Sequence, residues 1–219
     1  MNIGVSCICV TQDRYDLLFK SIEQFLDQTY KNKELIIVDD SISSIPNRVK
    51  QLIQNHNICI LYIRLNTKKT IGYKRNKAIS LSKYSYIAIW DDDDIHYKNR
   101  LTTQMKYFNT NQHCDMVVSN ASSTMYYISA LKKYIRIPRD IHNQWWYQGY
   151  TCPSMIFKKK LWNVNKYKHI NKHEDYYFIK SLESNNNICI TKQTIFAYHI
   201  HPNNITKMGE FIRNNVVSM

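Results

Sequence analysis

The first half of the chain alternates short apolar runs with segments whose apolar residues recur every three or four positions. Val5 to Val10 is rich in β-branched residues and has no polar face, the pattern of a strand covered on both sides. After Thr11-Gln12-Asp13-Arg14, residues Leu18, Ile22, Phe25 and Leu26 fall on one helical face, with Asp13 and Asp16 reading as the helix start. Glu34 to Val38 predicts a second strand that runs into Asp39-Asp40-Ser41. A helix carrying Val49, Leu52 and Ile53 follows, and Ile58 to Ile63 predicts a third strand. Residues 70–81 suit a helix with Ile71, Ala78 and Ile79 inward. Tyr86 to Trp90 predicts a fourth strand, capped by Asp91-Asp92-Asp93-Asp94.

This βαβαβαβ order predicts an α/β fold: a mostly parallel sheet flanked by helices. In such sheets ligands bind beyond the carboxyl ends of the strands. Three polar groups fall there: Thr11 to Arg14, Asp39-Asp40, and Asp91 to Asp94. The second half is less regular. Asp115 to Val118 predicts a strand, and residues 125–137 a small antiparallel element or loop. Residues 145–150 form an aromatic patch, Glu174 to Leu182 a helix, and Ile188 to Tyr198 a final strand pair. With no repeat and no Pro/Gly-rich linker, 219 residues suit one domain, 1–219, with a nucleotide half at 1–118 and an acceptor half at 119–219.

Composition narrows the picture. Lys and Arg total 30 against 17 Asp and Glu, a net charge of +13, which favours anionic partners. Peripheral contact with an acidic membrane is compatible with that charge. The Asn, Lys and Ile bias matches an AT-rich genome, which weakens any nucleic-acid reading. No apolar run approaches the roughly 18 residues of a spanning helix, and the N-terminus lacks a basic leader region, so a soluble cytoplasmic protein is expected. The six cysteines show neither C-x-x-C nor zinc spacing. Cys7, Cys9, Cys59 and Cys189 lie in or beside β-branched runs and read as buried thiols, which fits a reducing compartment.

The acidic run carries the most chemistry. Four adjacent carboxylates at the end of a buried strand repel one another unless a cation neutralises them, and hard oxygen ligands suit Mn²⁺ or Mg²⁺. Such an ion bridges phosphate oxygens and offsets charge on a departing diphosphate. A solvated acidic turn is the plain alternative.

Taken in order, these segments resemble family 2 glycosyltransferases of the GT-A fold. The matching pieces are residues 5–14, the strand ending at Asp39-Asp40-Ser41, Gly72 to Ala78, Asp91 to Asp94 as the D-x-D motif, Glu174-Asp175, and Tyr198-His199-Ile200-His201. The resemblance implies a metal-dependent, inverting hexosyl- or N-acetylhexosaminyltransferase using a UDP-sugar, with a glycan, protein or lipid acceptor. It implies that Thr11 lies against the nucleoside, Asp39 accepts from uracil, and Arg75 sits near the base or diphosphate. Asp91 would contact the ribose side, with Asp13, Arg14 and Asp92 also on the donor rim. Asp93 would hold the metal, with His201 at the metal or diphosphate. Asp175 would be the base, with Glu174 beside it.

Each residue also has a structural reading. Asp39 and Asp40 suit a cap and a turn, Arg75 a helix surface, and Asp175 a first-turn acid complementing the helix dipole. His199 and His201 alternate, which predicts that only one reaches the site, with His201 preferred. Trp145, Trp146 and Tyr150 are either core or an acceptor-stacking platform. Two other classes stay open: a nucleotidyltransferase, though the phosphate-binding glycine loop is missing after the first strand, and a non-enzymatic nucleic-acid-binding protein. Oligomeric state is open.

Overall fold

A computed structural model describes residues 3–120, 125–136, 150–182 and 187–201. Its main sheet has seven strands in the order β10-β6-β9-β4-β1-β2-β3. These are β1 (Val5–Thr11), β2 (Lys33–Asp39), β3 (Ile60–Arg64), β4 (Tyr86–Ile89), β6 (Met116–Asn120), β9 (Tyr150–Lys158) and β10 (Ile188–Thr191). All neighbours are parallel except around β9, which runs antiparallel to both β4 and β6.

Alternation along the strands divides the core. Val5, Cys7 and Cys9 of β1 and Leu35 and Ile37 of β2 face one side; Ile8, Ile36 and Val38 face the other. Helices α1 (Tyr15–Leu26), α2 (Asn47–Asn55) and α4 (Arg100–Thr110) cover the first side. Helices α3 (Ile71–Leu81), α5 (Lys159–Val164) and α6 (Glu174–Lys180) cover the second. Leu18, Ile22 and Phe25 of α1 are fully buried, each contributing about 1.5–3 kcal/mol. Trp90, directly after β4, packs edge-on to Phe25 and donates its indole N–H to the Ser21 carbonyl at 3.3 Å.

A second sheet of four strands has the order β5-β11-β7-β8, formed by β5 (Ile95–His96), β7 (Met125–Ile128), β8 (Lys133–Ile135) and β11 (Phe196–Ile200). The β7–β8 hairpin is antiparallel, as expected for residues 125–137. The expected final strand pair is different. β10 joins the main sheet beside β6, while β11 joins the second sheet, and the two do not pair.

Two further expectations are corrected, and one strand is new. Asp13 does not cap α1. It adopts a left-handed backbone (φ 51°), and its carboxylate instead accepts from the Ile42 and Ser43 amides, both at 3.0 Å. Cys114 and Cys189 are not free thiols; they form a disulfide with Cα atoms 6.0 Å apart, tying β10 to the approach to β6. β9 was not legible at all. Pro153 lies inside it, and a ladder cannot use a proline nitrogen. The strand accommodates it with a register shift: Ile156 opposes Val117, whereas Thr151 opposes Ser119.

Candidate active site

The acidic run forms the turn between β4 and β5, and each member has different surroundings. Asp91 lies at the rim, paired with Arg75 at 3.2 Å. Asp92 is buried; it accepts from the Thr11 hydroxyl and from Arg14. Asp93 accepts from the other Arg14 nitrogen at 2.6 Å and from His201 Nε2 at 3.2 Å. Asp94 is buried. One of its oxygens accepts from the His199 amide at 3.0 Å, and the other has no partner among the described residues. Arg14 is thus the cation that bridges Asp92 and Asp93.

Burial sets the protonation pattern. It pushes Asp92 up to about 7, against the opposing charge of Arg14. It raises Asp91 and Asp94 as well, and Asp93's charge raises both further. Burial would also raise Asp93, but the hydrogen bond from His201 and the charge of Arg14 outweigh it and hold that carboxyl low. Asp93 is therefore the carboxylate of the run that stays ionised most readily.

A buried network holds the turn from beneath. Arg100 is fully buried and donates to the carbonyls of Ile89 (2.8 Å) and Pro153 (3.1 Å). It also lies 2.6 Å from His96 Nδ1. A guanidinium can only donate, so Nδ1 accepts, and His96 carries its proton on Nε2, which donates to the Asp91 carbonyl at 3.0 Å. Burial, and next to it the charge of Arg100, keeps His96 neutral. Burial lowers Arg100 itself to about 10.

The Glu174-Asp175 pair reaches the same rim through α3. Arg75 is buried between Asp91 (3.2 Å) and Glu174 (3.0 Å) and stacks 5.5 Å from the Tyr167 ring. Burial pushes Glu174 up to about 7, with Arg75 pulling the other way. Asp175 is partly buried and accepts from the Tyr176 amide at 2.7 Å.

The next residue, Asn76, faces away from the rim and staples the approach to α6. Its oxygen accepts from Trp162 Nε1 (2.8 Å) and the Tyr167 amide (3.0 Å), and its nitrogen donates to the Tyr167 carbonyl (2.8 Å). One turn earlier, Gly72 touches the same segment; a Cβ there would lie 1.8 Å from the Lys168 carbonyl oxygen. The first two turns of α3 therefore set the position of residues 162–175.

At the end of β2 the acids are locked into the protein. Asp39 accepts from Tyr15 (2.9 Å), Tyr62 (2.6 Å), Arg64 (2.9 Å), and the Ser41 amide (2.7 Å) and hydroxyl. Asp40 pairs with the buried Lys74 at 2.6 Å and accepts from the Lys69 amide at 2.7 Å; Lys74 also donates to the Thr11 carbonyl.

Thr11, Arg14, Arg75, Asp91, Asp92, Asp93, His201, Glu174 and Asp175 thus share one rim. Asp39 lies below it, and Asp13 serves the neighbouring loop. Tyr150 opens β9, while Trp145 and Trp146 lie outside the described residues. Both late histidines reach Asp93, against the expectation of one. His199 Nδ1 meets the Asp93 carbonyl at 2.8 Å, and His201 meets its side chain because β11 ends at Ile200 and strand alternation no longer applies. Sequence reasoning missed Lys74, Asn76, His96 and Arg100. For Lys74 a signal existed: residues 71, 74, 75, 78 and 79 form one helical stripe, so Lys74 and Arg75 occupy core-facing positions.

The donors at the rim fit a divalent cation. Among the described residues no three His, Cys, Asp or Glu side chains converge as a ready-made cage. Asp93 Oδ2 and His201 Nε2, however, lie 3.2 Å apart. Two ligands at right angles on an ion with bonds of about 2.1 Å are about 3 Å apart. Carboxylate oxygen suits Mn²⁺ or Mg²⁺, and imidazole is a ligand of transition ions more generally. Asp93 and His201 are the residues that would hold the ion.

A mostly parallel sheet between two helical layers, with a small second sheet closing over its carboxyl rim, defines the GT-A class of glycosyltransferases. Solved structures share it: S. aureus TarS 1-349 in complex with UDP-GlcNAc superposes with a TM-score of 0.72 at 16% identity over 92% of this chain. The mannosyltransferase PcManGT from Pyrobaculum calidifontis, in complex with GDP-Man and Mn²⁺, gives 0.71 at 14% over 91%. The chain spans 60% and 58% of those two structures.

The chain belongs to glycosyl transferase family 2, whose model matches residues 6–198. An uncharacterised glycosyltransferase of Methanocaldococcus jannaschii is 28% identical over 210 residues, 90% of this chain and 70% of that one. A UDP-Glc:alpha-D-GlcNAc-diphosphoundecaprenol beta-1,3-glucosyltransferase of Escherichia coli is 29% identical over 190 residues, 84% of this chain and 71% of that one. Among the described residues no helix is long and apolar enough to cross a membrane.

Proposed function

We propose that this chain transfers a hexosyl or N-acetylhexosaminyl group from a UDP-sugar to a hydroxyl of a lipid-linked or glycan acceptor, with inversion. The observation that carries this reading is Arg75, whose guanidinium joins Asp91 of the acidic run to Glu174 of the Glu-Asp pair. A base and a diphosphate-binding rim then face one another across a single donor sugar. Uridine rather than guanosine is supported by the UDP-glucose donor in the name of the E. coli relative and by the UDP-GlcNAc complex of TarS; the GDP-Man complex of PcManGT is the counter-example.

In the proposed reaction Asp175 accepts the proton of the acceptor hydroxyl as that oxygen attacks the anomeric carbon. The bond to the diphosphate oxygen breaks on the opposite face. Arg75 keeps Glu174 and Asp91 in place, and Thr11 and Arg14 border the nucleotide side. Held by Asp93 and His201, Mn²⁺ or Mg²⁺ would supply positive charge against the departing diphosphate.

The test is Asp175→Asn. Donor affinity should persist in calorimetry, while transfer falls by about 10²–10⁴-fold. Full transfer by the variant would remove Asp175 from the base role.

A further inference from the structure

Exposed charge is distributed unevenly between the two helical layers. Among the described residues the exposed carboxylates are Asp13, Asp16, Glu23 and Asp27, all on or beside α1. The layer on the other side of the sheet, built from α3, α5 and α6, exposes no carboxylate among its described residues. It does expose Lys77, Lys166, Lys168, Lys172 and Lys180. Apolar tips lie between them: Val164 is 80% exposed and Tyr177 40%. Lysine ammonium groups lie over aromatic rings, with Lys166 Nζ 3.0 Å from the Trp162 ring centre and Lys168 Nζ 3.9 Å from that of Tyr177. A cleft of about 330 Å³ opens between α3 and the segment after α5, bordered by Tyr73, Lys77, Trp162, Lys166 and His169.

We infer that this layer is a docking face for an anionic bilayer surface. Ammonium groups spread over one side attract acidic headgroups at about 1 kcal/mol each. The exposed Val164 and Tyr177 suit the interface between headgroups and acyl chains. The cleft, walled by lysines and a histidine, has room for a phosphodiester. Docked this way, the protein rests on the loop that leads directly into Glu174 and Asp175, so the transfer rim stands beside the membrane. That purpose, receiving a lipid-linked acceptor, rests on the transfer proposed above; the docking itself rests only on the charge and apolar pattern.

Cosedimentation with vesicles tests it. The protein should bind phosphatidylcholine vesicles containing phosphatidylglycerol, ignore phosphatidylcholine alone, and release as salt rises. The combined variant Lys166→Glu, Lys168→Glu, Lys172→Glu should lower vesicle partition by at least about 100-fold. The opposite-layer variant Lys50→Glu, Lys106→Glu should keep it. Should the triple variant fail to fold, Val164→Asp reads the same face and should lower partition by about 10-fold. UDP affinity is followed in parallel: intact UDP binding with lost vesicle binding marks the docking face as separate from the transfer rim. Equal binding to neutral vesicles, or undiminished binding by the variants, overturns the inference. So does retention of a single-stranded oligonucleotide by a protein that ignores anionic vesicles, which would make this a nucleic-acid face.

Discussion

Two strands of the main sheet end in acids, and the two ends are electrostatically opposite. At the end of β2, Asp39 receives five protein donors and Asp40 a buried ammonium, so every charge there is answered from within the fold. At the end of β4, four carboxylates share Arg14, Arg75 and His201, one oxygen of Asp94 has no partner among the described residues, and burial raises three of the four. The same local pattern, an apolar strand followed by aspartates, therefore serves architecture at one site. At the other it stores repulsion that a bound cation can relieve. The difference comes from neighbours distant in sequence: Tyr62, Arg64 and Lys74 for the first, the second sheet for the other.

The largest effect separating the two ends concerns stability. Lys74→Met strands Asp40 as an unpaired buried charge and should cost about 3–5 kcal/mol in urea unfolding. Asp93→Ala removes one of four repelling acids and should leave stability within about 1 kcal/mol. The same Asp93→Ala should abolish any gain in UDP affinity on adding Mn²⁺, read by calorimetry. An Asp93 variant as unstable as Lys74→Met would erase the distinction drawn between the two ends.

A smaller effect tests whether α3 positions the Glu-Asp pair. Asn76→Ala deletes three hydrogen bonds to residues 162 and 167 and should cost about 1–3 kcal/mol of stability. Because Asn76 points away from the rim, donor KM should hold while kcat falls about 10- to 100-fold. Asn76→Asp keeps the oxygen that accepts from Trp162 and Tyr167 and should recover part of kcat. Equal changes in KM and kcat would mean that Asn76 acts on the donor pocket instead.

Much of the frame was legible because its signals are local. The strands β1, β2 and β4 are built on short apolar runs, and α1 shows clear helical spacing with Leu18, Ile22 and Phe25 at buried positions; in α3 the same spacing places Ala78 and Ile79 inward beside Lys74 and Arg75. The acidic run and Glu174-Asp175 stood out as charge beside such elements. What stayed hidden depended on tertiary partners. β9 carries a proline whose accommodation needs the bulge opposite β6. Arg100 and His96 look like surface residues until their carbonyl partners on Ile89, Pro153 and Asp91 are known. The partners that converge on Asp39, namely Tyr15, Tyr62 and Arg64, likewise come from other segments of the chain. The pairing of Cys114 with Cys189 spans 75 residues and has no local signature.

A pH-dependent effect probes the junction between the acid run and the base. Glu174 is raised from 4.5 to about 7 in the folded protein, chiefly by burial. Between those values the native state holds more protons than the unfolded chain, so stability falls as pH rises from 4.5 to about 7 and stays lower above it. Glu174→Gln cannot lose that proton. Its stability relative to the parent should therefore increase across the same window, by up to about 3 kcal/mol, in unfolding curves collected at each pH. Arg75 keeps Asp91 as a partner in the variant, so the guanidinium is not stranded. A parent and variant whose difference is flat across that window would mean Glu174 is already ionised against Arg75. The rim would then resemble the answered charges at the end of β2 rather than the unanswered ones at the end of β4.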